Sequence, residues 1–332
     1  MSNSSRIGVI GGGAWGTALA QTAAATGNQV TIWAREPEVV LDINQHHRNE
    51  LFLPGVPLDG ALRATTDLAE IAALETILLV APAQHLRTVT GQLSGTLKPG
   101  ATLVVCAKGL EQSTGKLLGQ ILGETVPSAR LAILSGPSFA ADVARGLPTA
   151  VTLAAADPSH GHALAEQLSG RNFRIYWTDD LIGTQLGGAV KNVLAIAAGI
   201  VDGRELGASA HAALVTRGFA ELRRLGEALG ARTETLMGLS GLGDLLLTCG
   251  SPQSRNMSLG RALGQGKLLD EYLGSRRSVA EGVYTAAAVV SRAAELGVEM
   301  PVASAVHAIV DGKLTVDAAI ESLLSRPLKP EA

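Results

Sequence analysis

The sequence predicts an α/β N-terminal domain built on a mostly parallel sheet, followed by an all-α C-terminal domain. Three observations predict it. Short β-rich runs alternate with helical patterns through the first half of the chain; extended runs stop after Asp179; and a glycine-rich turn joins the first strand to the first helix. The length of 332 residues suits two domains of ordinary size.

The elements follow in order. Ile7 to Ile10 is a continuous apolar run, and Val30 to Trp33, Ile77 to Val80, Leu103 to Cys106 and Leu131 to Leu134 repeat the pattern. Such runs suit strands covered on both faces by helices. Ala150 to Leu153 and Phe173 to Trp177 extend the sheet, with a helical segment from about Pro158 to Leu168 between them. The sheet domain is therefore expected over residues 1–178 and the helical domain over 179–332. Helices are expected near 180–202, 208–229, 281–296, 301–310 and 315–325, with Gly203, Gly230, Gly297 and Gly312 where each would stop and Pro301 in a first turn.

Composition narrows the function. Hydrophobic residues make up 46% of the chain but aromatics only 3%, so Ala, Leu, Val and Ile carry the packing. The net charge is −3 and the basic residues are scattered, which argues against nucleic acid or a membrane surface and for a small partner. Arg6 leads straight into a strand, without the pattern of a secretory leader, so the expected location is cytoplasmic. The longest apolar stretch, Leu186 to Val201, is short of the roughly 20 residues a bilayer needs and carries Lys191 and Asn192 near its centre. A buried helix is expected there, with no stable membrane insertion. Cys106 and Cys249 have no metal-like spacing and are expected as buried thiols. The histidines show no metal pattern, and His160-Gly161-His162 is expected as a solvated turn.

Gly11-Gly12-Gly13-Ala14-Trp15-Gly16 contains G-x-G-x-x-G directly after a strand and before a helix that ends at Gly27. Gly11 permits a tight turn, Gly13 lets a pyrophosphate approach the backbone, Gly16 lets helix and strand pack closely, and Gly12 is spare. The first domain is thus Rossmann-like and should bind a dinucleotide. After the second strand, Arg35 stands where an acidic residue usually holds a ribose hydroxyl, which favours NADP; Glu36 follows and suits NAD, so both cofactors stay open.

The chemistry points to Lys191. Gly187 and Gly188 lie one turn before it on the same helix face, so that face is expected to be cleared for a ligand, and a desolvated lysine suits proton transfer. Lys108-Gly109 and the Ser135 to Ala140 segment sit at strand ends, on the sheet edge where such folds bind ligands. Backbone amides and the hydroxyl near Ser138 suit an anionic substrate. Asp244 is placed to hold a substrate hydroxyl or to orient Lys191, and Arg255, within Ser254-Arg255-Asn256, suits a phosphate.

These segments together resemble the bacterial-type NAD(P)-dependent glycerol-3-phosphate dehydrogenases over essentially the whole chain. The resemblance is carried by Gly11 to Gly16, Asn49 to Gly55, Lys108-Gly109, Ser135 to Ala140, Gly187 to Asn192, Gly241 to Asp244 and Gln253 to Asn256. It implies reversible reduction of dihydroxyacetone phosphate to sn-glycerol 3-phosphate for phospholipid synthesis, with Lys191 moving the proton. It also implies Ala14, Trp15, Arg35, Lys108, Ala140, Arg255, Val279 and Glu281 at the cofactor. Lys108, Gly136, Ser138, Lys191, Asp244, Ser254, Arg255 and Asn256 are implied at the substrate, and a homodimer as the assembly. Phe52 stands where many members have tyrosine, and Glu205-Leu206 replaces a glycine-rich pair. Two other expectations compete: a related β-hydroxyacid or phosphogluconate-type dehydrogenase, and a non-catalytic NAD(P)-binding sensor.

Overall fold

In a computed structural model, which describes residues 5–274 and 280–327, the first half of the chain forms one eight-stranded sheet. Its strands are β1 (Arg6–Ile10), β2 (Gln29–Trp33), β3 (Arg63–Thr65), β4 (Thr76–Leu79), β5 (Thr102–Val105), β6 (Arg130–Ser135), β7 (Thr149–Ala155) and β8 (Phe173–Thr178). They lie in the order β3-β2-β1-β4-β5-β6-β7-β8. All neighbours are parallel except β6 and β7, which pair antiparallel.

β4 and β5 are buried along their whole length. Their alternate residues feed two cores: Leu78 and Val104 pack on one face of the sheet, Ile77, Leu79, Leu103 and Val105 on the other. This is why the strands read as unbroken apolar runs rather than alternating ones. Strand order reverses at β1, which lies between β2 and β4, and in open sheets ligands bind outside the carboxyl ends at such a point. The antiparallel step has a local cause. The segment after β6 turns over the carboxyl edge in a single short helix, Ala140–Ala144, and Gly146 (φ 73°) then returns the chain as β7.

One strand goes beyond the expected set and one expectation fails. β3 has only three residues, without an apolar run, and takes its strand form from pairing with β2 at the sheet edge. His160-Gly161-His162 is not a solvated turn but lies in the Pro158–Leu168 helix. His160 pairs with the Thr102 hydroxyl at 3.1 Å, His162 lies against Trp177, and a Cβ on Gly161 would strike the same indole at 1.9 Å.

Beyond β8 the described residues are helical or loop. The helix Leu181–Gly203 runs through the centre, with Asp180 as its N-cap accepting from Gly183 N at 2.8 Å. It is long and apolar enough to cross a membrane by length and composition, yet 89% of its most apolar window is buried inside the protein. It is apolar all round because other helices and the strands β6 and β7 pack against it. The expected helices appear as Gly207–Leu229, Glu281–Glu295, Pro301–Val310 and Val316–Leu324. Four short ones escaped the periodicity: Thr233–Met237, Asp244–Cys249, Arg255–Gly264 and Leu269–Gly274. Gly230, Gly297 and Gly312 take positive φ at helix ends, whereas Gly203 stays helical. Its missing side chain admits the Arg261 carbonyl, 2.3 Å from where a Cβ would lie. The left-handed turn after that helix falls instead on Glu205 (φ 55°), where a side chain is costly by about 1 kcal/mol.

Candidate active site at the carboxyl edge of the sheet

The glycine turn follows β1 directly. Gly11 has φ 127° and donates its N–H to the Trp33 carbonyl at 3.0 Å, and a Cβ on Gly16 would lie 1.9 Å from the Gly11 carbonyl oxygen. Both positions therefore require glycine. Nothing lies within 4 Å of where a Gly13 Cβ would be, so the turn is open on the side a pyrophosphate approaches. Gly12 is not spare: a Cβ there would meet the Ala34 Cβ at 2.5 Å, and its carbonyl accepts from the Asn49 amide at 2.8 Å. Asn49 is buried, also donates to Thr17 Oγ1 at 2.8 Å, and so ties the Asn49–Gly55 segment to the turn.

The helix Ala14–Ala24 begins with Gly13 as N-cap, without a side-chain cap and without an acidic residue in its first turn. Its first N–H groups and the positive end of its dipole suit an anion. The Trp15 indole N–H beside them is buried without a protein partner. Arg35 is mostly exposed and donates to Glu36 Oε1 at 2.9 Å, so the two residues that pull toward different cofactors face one another.

The reacting groups gather where β5 and β6 end against the central helix. Lys191 is 7% exposed, and its ammonium donates to Asp244 Oδ1 at 2.6 Å and Thr248 Oγ1 at 2.8 Å. Lys108, on the segment after β5, donates to the other Asp244 oxygen at 2.7 Å and to the Gly136 carbonyl at 2.9 Å. One fully buried carboxylate thus serves two ammonium groups. Burial pushes Lys191 down to about 8; Asp244 opposes the shift and Lys108 adds to it. A lysine there holds its proton near neutral pH yet releases it easily, which suits a general acid or base.

Asp244 reaches this place through a widened turn. Leu239–Gly243 forms a single π-helical turn in which a Cβ on Gly241 would sit 1.9 Å from the Leu236 carbonyl oxygen. That turn fills the space beside Gly187, whose Cβ would lie 2.4 Å from Ser240 O. The space beside Gly188 is taken by Ser135 Oγ and the Lys108 chain. The two glycines therefore admit protein rather than a ligand, which corrects the expectation of a cleared face. They are what lets Asp244 and Lys108 come within reach of Lys191.

The other sequence-derived residues have their own local partners. Ser138 donates to the Gly136 carbonyl at 3.2 Å, and Ala140 opens the short helix that follows. Ser254 caps the helix Arg255–Gly264, its hydroxyl accepting from Met257 N at 3.2 Å. Asn256 donates to Asn192 Oδ1 at 3.0 Å and accepts from Gly282 N at 3.0 Å. It therefore joins the neighbours of Lys191 and Glu281. Arg255 is exposed at the start of its helix. Glu281 accepts from Ala83 N at 3.3 Å through one oxygen while the other is buried without a partner. Burial raises its pKa, partly offset by Arg255. Val279 lies outside the described residues.

The open Gly13 turn, the uncapped helix and the orphaned polar atoms of Trp15 and Glu281 fit a dinucleotide laid along the carboxyl edge. Sequence reasoning missed Thr248, and it named Asn192 and Asn49 without giving either a role in the site. Thr248 follows Asp244 by one helical turn, a spacing that could have flagged it. The two cysteines are free and buried, as expected, and burial pushes Cys249 up to about 12.

Two family models match the chain. The N-terminal model of NAD-dependent glycerol-3-phosphate dehydrogenase matches residues 6–162 and the C-terminal model residues 180–321. A glycerol-3-phosphate dehydrogenase (NAD(P)+) of Parvibaculum lavamentivorans is 60% identical over 98% of this chain and 98% of its own. One of Caulobacter vibrioides is 58% identical over 98% and 99%. The crystal structure of glycerol-3-phosphate dehydrogenase from Coxiella burnetii superposes with a TM-score of 0.93 at 38% identity, covering 97% of this chain and 99% of the other.

Proposed function

The chain belongs to the NAD-dependent glycerol-3-phosphate dehydrogenase family and is an NAD(P)-dependent oxidoreductase interconverting dihydroxyacetone phosphate and sn-glycerol 3-phosphate; on that premise we propose that Lys191 moves the proton. The observation that carries this role is the buried Lys191 ammonium, held at 2.6 Å by Asp244 and pushed down to about 8. Bound NADPH or NADH supplies the hydride. As the carbonyl carbon is reduced, Lys191 gives a proton to the oxygen that becomes the alcohol; in the reverse direction the neutral lysine takes it back. Asp244 keeps Lys191 protonated in the resting site and fixes its direction. Lys108 adds a second positive charge facing the developing alkoxide.

The proposed cofactor residues are Gly11, Gly13, Ala14, Trp15 and Gly16 at the turn, Arg35 at the adenosine ribose, and Lys108, Ala140, Arg255, Val279 and Glu281 further along the edge. Gly136, Ser138, Ser254, Arg255 and Asn256 would hold the substrate, with Arg255 neutralising its phosphate, so that binding energy remote from the carbonyl orients the reacting carbon. We assign residues 1–178 to cofactor binding and 179–332 to substrate binding and proton transfer. A small phosphorylated substrate, with no nucleic acid and no membrane insertion, agrees with the scattered charge and the buried central helix. A cytoplasmic homodimer that supplies glycerophospholipid synthesis completes the proposal, on the strength of the family resemblance.

The test is a Lys191→Met variant assayed with dihydroxyacetone phosphate, with unphosphorylated dihydroxyacetone as the control. It should bind NADPH normally and lose kcat by about two to four orders of magnitude. Near-normal kcat would remove Lys191 from the mechanism.

A further inference from the structure

Lys108 must hold its ammonium on Asp244, yet it sits on an irregular segment, 106–117, that belongs to no helix or strand longer than an isolated bridge. Few backbone bonds fix that segment: Cys106 N and Ala107 N donate to Leu79 O, and Glu111 N and Gly115 N close a turn within it. Leu110 and Leu117 are buried in the helical core, Gly109 also lies against Thr285, and Lys116 pairs with Glu124; the polar contacts across residues 110–112 come from one short stretch, Ala83 to Arg87. Ala83 packs against Gly109, where an added Cβ would meet its methyl at 2.9 Å. Gln84 brackets the next residues, donating to Leu110 O and accepting from Gln112 N, each at 2.9 Å. Arg87 then grips Glu111 with two parallel bonds of 2.8 and 2.9 Å and reaches Glu124 with a third of 2.8 Å.

The Glu111 side chain is only 8% exposed and also accepts from the Thr114 hydroxyl at 2.6 Å. Exposed ion pairs contribute little, but a bidentate pair with a nearly buried carboxylate is stronger and fixes geometry as well as charge. The same stretch reaches the cofactor side, since Ala83 N donates to Glu281. None of Gln84, Arg87 or Glu111 contacts Lys191 or Asp244 directly.

We propose that Arg87 and Glu111 are positioning residues of this enzyme: their ion pair, backed by Gln84, fixes the 106–117 segment so that Lys108 stays on Asp244. This rests on the roles proposed above for Lys108 and Lys191. Loosening the pair frees Lys108 to swing toward solvent. Asp244 then neutralises Lys191 alone, and Lys191 loses the neighbouring positive charge that helps to lower its pKa.

The experiment is steady-state reduction of dihydroxyacetone phosphate by the Glu111→Gln enzyme across pH, with NADPH binding and thermal melting measured on the same preparation. A folded variant should lose about ten- to a hundredfold in kcat, and the pH limb that belongs to Lys191 should move upward. A general loss of stability would lower activity without moving that limb. Gln84→Leu, which removes only a neutral bracket, should move the limb the same way and serves if Glu111→Gln does not fold. Wild-type kcat with an unmoved limb in either folded variant overturns the proposal. If Lys191→Met is inactive while both variants behave as wild type, only the positioning role falls. Turnover by Lys191→Met would instead remove the proton-transfer reading beneath it.

Discussion

Replacing Asp244 with Asn keeps the shape of the side chain and removes the one negative charge shared by two lysines. Asp244 is fully buried and accepts from Lys191 at 2.6 Å and Lys108 at 2.7 Å. Breaking a buried ion pair costs about 3–5 kcal/mol when the partner must stay charged. Here the partners can escape. The Lys108 side chain is 15% exposed and can turn toward water, while Lys191, at 8%, can only lose its proton. In the native site Lys191 titrates at about 8 rather than near 10.5. Holding it charged in that site already costs a few kcal/mol, and giving up its proton at pH 7 costs only about 1 kcal/mol more. That small difference caps what Lys191 adds to the loss. With the weakened Lys108 contact, the variant should lose about 1–3 kcal/mol and still fold. Function should suffer far more. Without Asp244, burial pushes Lys191 down further, so at pH 7 less of it carries a proton to donate. The assay is urea unfolding together with kcat for dihydroxyacetone phosphate reduction from pH 5 to 9. We expect kcat about a hundredfold lower or worse at pH 7, partly recovered as the pH falls. A kcat within about threefold of wild type, or an unmoved pH profile, refutes the assignment of Asp244 as the group that keeps Lys191 protonated.

Two further outcomes follow from groups outside that cluster. Arg35→Ala should raise the Kd for NADPH about tenfold or more while changing that for NADH little, because only NADPH brings a 2′-phosphate to the arginine; equal losses in a direct binding titration would count against that role. Glu221 is 1% exposed and its carboxylate accepts from Val302 N and Ala303 N, yet burial pushes it up to about 7. The folded chain thus holds this proton more tightly than the unfolded chain, so stability contributed below about pH 4.5 is lost as pH rises to about 7, by about 3 kcal/mol. Glu221→Gln should flatten that slope in unfolding midpoints taken at pH 5 and pH 8, and an unchanged slope would show that another group sets it.

The alternation of strands and helices, the change of rhythm after β8 and the glycine turn were legible because each is a local pattern. Apolar runs mark doubly covered strands, and G-x-G-x-x-G between a strand and a helix marks a phosphate-binding turn. Lys191 was legible for a related reason, since a lysine within an apolar helix calls for a partner. Three of the short helices and β3 were not legible: five or six residues carry too little periodicity, and β3 exists only through its pairing with β2.

The sequence by itself determined the two-part architecture, the dinucleotide turn and the identity of the buried lysine. Tertiary structure alone decided who meets whom. Asp244 lies 53 residues from Lys191 and 136 from Lys108 along the chain, yet it joins them. Gly187 and Gly188, which looked like room for a ligand, are filled by the Ser240–Gly241 backbone and by Ser135 and Lys108. Gly12, which looked spare, is pressed against Ala34 and held by Asn49. A missing side chain announces close approach but not of what, because the approaching atoms come from elements whose distance along the chain leaves no trace in local periodicity.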